Sequence, residues 1–233
     1  MFRDCGPVTI SNDPAFAEVV MVSGARPLSV APGRVLFVNL EKFWELVETC
    51  RRQADGRDAR LEWLRSDLSR RPLAEIVEFQ MCLDQVTHQA FTWELVAAAE
   101  MIFGGRCSDD DFCYFGLWMV GLGKDAFGRA VLDPDALADT PEVLRLAGRT
   151  WRTWGDDWPG WESLDYVAWE AHQLVTGEPD ECGDAFYAAV ESRRGEHVVS
   201  RGLAGQRWNV RDEAEAARRL PGLSVMFPLS AGA

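Results

Sequence analysis

Three adjacent carboxylates, Asp109, Asp110 and Asp111, follow Ser108 and are the residues of this chain best suited by type and spacing to chemistry. Neighbouring carboxylates repel one another. The repulsion falls when a divalent cation or the positive end of a helix stands beside them. Two readings compete. Ser108 with Asp111 three residues on has the form of a capping box with Asp in place of Glu, which needs no ligand. The alternative is a hard oxygen site for Mg²⁺ or Ca²⁺, with Asp109 and Asp110 as its first ligands. Further carboxylates would then come from Glu94, Glu100, Asp156 or Asp157. Glu94 and Tyr114 belong to the same helix junction.

A second candidate is WRTWGDDWPGW, residues 151–161, with Trp151, Trp154, Trp158 and Trp161 among two Gly and one Pro. Such Trp side chains commonly cover the edge of a core. Beside Asp156 and Asp157, Trp154 and Trp158 could instead hold a cation against a ring face.

Other chemistry lacks its sequence support. His88, His172 and His197 show no metal-binding spacing such as HExxH. There is no GxSxG elbow, no P-loop and no strand-led GxGxxG. The cysteines at 5, 50, 82, 107, 113 and 182 include no CxxC pair. Together with a first segment unlike a secretory signal, they suggest reduced thiols in a cytoplasm.

The elements that must position these residues are helical. Asn39 can cap a first helix, whose stripe is Leu40, Phe43, Trp44, Val47 and Cys50. A second is expected from Asp58 with Leu61, Leu64 and Leu68 inward, and a third from Leu73 with Ile76, Phe79, Leu83 and Val86. A fourth carries Phe91, Trp93, Val96, Ala97, Ile102 and Phe103, and Gly104-Gly105 stops it. The helix after Ser108 has the stripe Phe112, Phe115, Trp118, Met119 and Leu122. Thr140-Pro141 reads as a cap with Pro at the first helical position. Ser163 is expected to cap a helix bearing Leu164, Val167, Ala168 and Leu174, ending at Gly177. Phe186, Tyr187 and Val190 mark another, Glu191–Asn209 reads as loop, and Asp212–Leu220 is a last helix closed by Pro221-Gly222.

Length and charge bound the rest. The 233 residues suit one domain with appendages, and 47% hydrophobic content with 10 Trp supplies a core. The net charge is −13, but residues 72–190 alone carry 6 basic and 22 acidic residues, a sum of −16. That balance argues against non-specific nucleic-acid binding, which needs cations facing phosphate. No apolar run approaches the ~20 residues of a membrane span. Residues 1–38 carry no helical period and contain Pro7, Pro14, Pro27 and Pro32. They read as a loose arm, or as sequence ahead of the true start.

LEKFWELVETCRR (40–52), FTWELVAAAEMIFGGRCSDDDFCYFGLWMVGLGKDAF (91–127) and LDPDALAD (132–139) together resemble the bacterial DUF4240 family. The most specific part is GG-x-CSDD-x-F-x-YF with a following W, Gly104–Trp118. The resemblance spans about Leu40 to Tyr166, and GQRWNVRDEAEAARRLPGLSVMF (205–227) resembles the tail of longer members. It implies no activity. Members commonly carry Arg after the YF pair, where this chain has Gly116. A site using that Arg would be altered here.

The expected fold is mainly α: a compact single-domain helical bundle with a loosely ordered N-terminal arm. The expected division is an arm at 1–38, a family domain at 39–166 and a helical extension at 167–233 packed on it. The preferred function is a binding or accessory protein that docks a protein or peptide through an acidic face and the Trp loop. The alternative is an enzyme modifying a small molecule or peptide through Ser108–Asp111, with a divalent metal.

Overall fold

The computed structural model describes residues 39–177, 182–194 and 202–229. The expectation of a loose arm at 1–38 and the position of His197 lie outside those residues. Helix α1 (Leu40–Gln53) begins where Asn39 Oδ1 accepts the Lys42 amide at 3.1 Å. Its buried side is Phe43, Trp44, Leu46, Val47 and Cys50. Helix α2 (Arg57–Leu68) buries Leu64 and Leu68. Helix α3 (Leu73–Gln89) buries Ile76, Phe79, Leu83 and Val86 as its period predicts.

Helices α4 (Trp93–Ile102) and α5 (Asp109–Gly121) follow and pack on each other. Thr92 caps α4, its hydroxyl accepting from the Leu95 amide at 3.1 Å. The buried face of α4 differs from the expected stripe. Leu95, Ala98, Ala99 and Met101 join Ala97 and Ile102 inside, while Trp93 and Val96 are only half-buried. The reason is tertiary: α4 is flanked by α5, by helix α11 (Pro221–Met226) and by the 3-10 turn Pro134–Asp139, so more than one side is covered. The small Ala97–Ala99 side chains permit that enclosure.

After α5 come α6 (Lys124–Leu132), the 3-10 turn and the short α7 (Pro141–Leu144), capped by Thr140 as expected. The Trp segment forms short 3-10 turns, the last being Glu162–Tyr166, which runs into α8 (Val167–Thr176). Ser163 therefore lies inside a 3-10 turn and caps nothing. Gly177, at φ 68°, does end α8. Burial on α8 stops at Ala171, and Leu174 is exposed. Helix α8 packs on α2 and α3, and α9 (Asp184–Arg194) packs on α3. The expected loop from Glu191 is thus helical up to Arg194.

Helix α10 (Glu213–Arg219) starts at Asp212, whose carboxylate accepts from Ala214 and Glu215 at 3.1 Å. Pro221-Gly222 does not close the chain's last helix; Pro221 opens α11. Pro has no N–H to leave unsatisfied, so it suits a first helical position. Asp135 completes that start, accepting from the Gly222 and Leu223 amides at 2.8 and 2.9 Å. Among the described residues the one extended pairing is an isolated bridge between Thr92 and Ala204. The fold is mainly α, and no helix among these residues is long and apolar enough to cross a membrane.

Candidate functional site

Gly104 and Gly105 take φ 77° and 90°, a backbone region L side chains rarely adopt, and so turn the chain out of α4. Ser108 then caps α5. Its hydroxyl accepts from the Asp111 amide at 3.1 Å, and Asp111 Oδ2 accepts from the Ser108 amide at 3.0 Å and from its hydroxyl at 2.7 Å. The capping box expected from the residue spacing is present, with Asp111 committed to it. Asp109 and Asp110 are exposed in the first turn, where the helix dipole favours negative charge.

Tyr114 lies one turn past Asp110 and joins this junction to the Trp segment. Its hydroxyl donates to Glu162 Oε1 at 3.0 Å, and its carbonyl accepts from the Trp161 amide at 3.0 Å. Burial pushes the Tyr114 phenol up, helped by the bond to Glu162 and the nearby Asp110 carboxylate. Trp158 closes the same corner. A Cβ added at Gly160 would sit 2.9 Å from Trp158 Nε1 and 3.5 Å from Tyr114 Cβ. Asp110, Tyr114, Glu162 and Trp158 thus form one acidic and aromatic corner. Glu162 is the member sequence reasoning missed; its only signal was its place after the Trp run.

The Trp segment is mostly core. Trp154 is 3% exposed and Trp161 5%, and Trp154 packs with Phe103 and Trp158 at ring separations of 6.4 and 5.7 Å. Trp154 therefore offers no face to a ligand, because its ring is enclosed beside Phe103 and Trp158. Trp158 is half-buried, and the exposed Trp is Trp151, with Arg152 over its ring at 4.9 Å. The Trp161 ring occupies the place a Cβ at Gly121 would need, 2.8 Å away, which explains the glycine near the end of α5.

Arg57 holds the segment in shape. Its guanidinium donates to the carbonyls of Trp158 at 2.8 Å, Asp156 at 2.6 Å and Gly160. Asp157 is paired internally with Arg149 at 2.8 Å and Arg145 at 3.4 Å. Those hydrogen bonds, Arg149 first, hold its carboxyl below the usual range.

The other proposed carboxylates face elsewhere. Glu94 accepts from Trp208 Nε1 at 3.0 Å and pairs with Arg219. Glu100 pairs with Arg207 at 3.7 Å. Both therefore serve the segment 207–219 and do not join Asp109 and Asp110. Among the described residues no group of three or more His, Cys, Asp or Glu converges as a metal site would. His88 stacks on Phe91 at 5.9 Å and burial lowers its pKa, while His172 lies 5.3 Å from the Phe186 ring. A Cβ at Gly116 would meet no atom within 4 Å, so packing does not demand glycine there.

A helical domain with a capped α4–α5 junction, closed by an aromatic 3-10 segment, is the class these features define. The model of DUF4240, a protein family of unknown function, matches residues 39–173, more than half of the chain. The chain belongs to that family. No curated protein and no solved structure matches it.

Proposed function

We propose that this chain is a binding or accessory protein. Its acidic corner, Asp109 and Asp110 with Tyr114, Glu162 and Trp158, accepts a cationic side chain of a protein or peptide partner. The observation that carries the reading is the 3.0 Å Tyr114–Glu162 hydrogen bond. It ties Glu162 of the Trp segment to Tyr114, on the helix that carries Asp109 and Asp110. Carboxylate and aromatic groups together favour a guanidinium or ammonium over water. The −16 charge of residues 72–190 would steer such a partner and repel nucleic acid. The expected compartment is a reducing cytoplasm, from the unpaired cysteine spacing.

The test is titration of the chain with an Arg/Lys-rich peptide and with a Glu-rich peptide of equal length, at low and high salt. The basic peptide should bind, and salt should weaken it. The double variant Asp110→Asn, Glu162→Gln should bind roughly 10-fold more weakly at unchanged melting temperature. Equal affinity for both peptides, or no effect of the double variant, would defeat the proposal. Melting with EDTA, Mg²⁺, Ca²⁺, Mn²⁺ or Zn²⁺ addresses the metal-assisted alternative. A cation that raises the midpoint of wild type but not of Asp110→Asn would put that alternative first.

A further inference from the structure

The segment 207–211 does more than cover α4. Glu100 and Gly105 form one side of a cleft of about 480 Å³, and Arg207, Trp208, Asn209, Val210 and Arg211 form the other. The Arg211 guanidinium lies directly over Gly105, where an added Cβ would sit 2.7 Å from its Nη2. Arg207 reaches across from its place over the Trp93 ring, 5.3 Å from the centroid, toward Glu100 at 3.7 Å. Arg211 makes no ion pair among the described residues. Two guanidiniums thus face one carboxylate, which leaves a positive cleft on a strongly acidic protein.

We propose that this cleft binds a small oxyanion, carboxylate or phosphate, through Arg207 and Arg211. A guanidinium presents a planar fork of N–H donors that matches two oxygens of either group. Arg211 feels the Glu100 charge but forms no ion pair among the described residues, so its N–H donors are open to a ligand. Arg207 can turn from Glu100, since it is well exposed and meets that carboxylate only at 3.7 Å, beyond hydrogen-bond length. The half-buried Trp208 indole supplies an apolar wall for the body of the ligand. The site needs both parts of the chain. Glu100 and Gly105 lie within the family-matched residues 39–173, and both arginines lie beyond them. An oxyanion would therefore tie the segment 207–211 to α4. The inference goes beyond the cation-accepting corner and uses none of its residues.

The test is thermal melting of the full chain in inorganic phosphate, in succinate and in NaCl of matched ionic strength, with NMR of the Gly105 and Val210 amides. Phosphate or succinate at saturating concentration should raise the midpoint by about 2–4 °C over NaCl. It should also shift both amides. A response to one anion alone identifies which oxyanion the cleft prefers; a response to both supports the shared chemistry. The response should vanish in Arg211→Gln and persist in Arg129→Gln, which removes an exposed charge elsewhere. No difference from NaCl with unmoved amides, or an undiminished response in Arg211→Gln, would overturn the proposal. Neither result bears on binding of basic peptides, so the two readings fail separately.

Discussion

The Trp208 indole N–H donates a 3.0 Å hydrogen bond to one oxygen of Glu94, and Arg219 holds the other oxygen of the same carboxylate. The Arg219 guanidinium also lies over the Trp208 ring, 5.4 Å from its centroid. One acidic side chain at the start of α4 thereby fastens the residues around α10. Glu94 is partly solvated, so the cost of losing it is discounted for screening. Glu94→Ala should lower stability by about 1–2 kcal/mol in urea unfolding. Amide exchange should quicken first in residues 207–219. Unchanged exchange there would show that the segment is held by apolar packing alone.

Ser108→Ala removes the hydroxyl that accepts from the Asp111 amide. The expected loss is about 1 kcal/mol, typical of an N-cap replaced by alanine. Ser108→Thr keeps a hydroxyl that can accept from the Asp111 amide and donate to its carboxylate, and should lose less than Ser108→Ala in the same melt.

Arg57→Met keeps an apolar stem but leaves the Asp156, Trp158 and Gly160 carbonyls without their shared donor. Hydrogen bonds from a charged donor are stronger than neutral ones, although Arg57 is only half-buried. The expected cost is about 2–3 kcal/mol. Near-ultraviolet circular dichroism should weaken, because Trp154, Trp158 and Trp161 would lose their fixed orientations. An unchanged aromatic spectrum would show that ring packing suffices to shape the segment.

Cys107 is pushed up to about 12, by burial first and then by the carboxylates of Asp111, Glu100 and Asp109. Burial also raises Cys82 to about 12 and Cys50 to about 11. Alkylation of the native protein at pH 8 should therefore spare these three and label the exposed Cys182. The sign for stability follows from linkage. Well below pH 9 these thiols are protonated in both states and contribute no pH dependence. Above it the unfolded chain loses their protons first, so native stability should fall as pH rises toward about 12. Rapid native alkylation of Cys107 would contradict its burial.

Much of this molecule was legible in its residues because the deciding signals are local. A cap and the helix it starts lie within four residues, so Asn39, Ser108 and Thr140 could be read directly. The same holds for the single apolar stripes of α1 and α3 and for the Gly104-Gly105 turn. Where burial comes from several sides, as on α4, a stripe no longer reports it. That is why Leu95, Ala98, Ala99 and Met101 were missed.

Sequence by itself determined the mainly helical class, the family and the capping role of Ser108 and Asp111, each of which depends on neighbours a few positions apart. Tertiary structure alone decided which charges meet. Glu94 and Arg219 stand 125 positions apart, Tyr114 and Glu162 48 apart, and Arg57 and Gly160 103 apart. No spacing rule reaches that far, because a Coulombic or hydrogen-bonding partner is chosen by distance in space after the helices have packed. For the same reason Trp154 turned inward while Trp151 stayed outside, although both belong to one aromatic run.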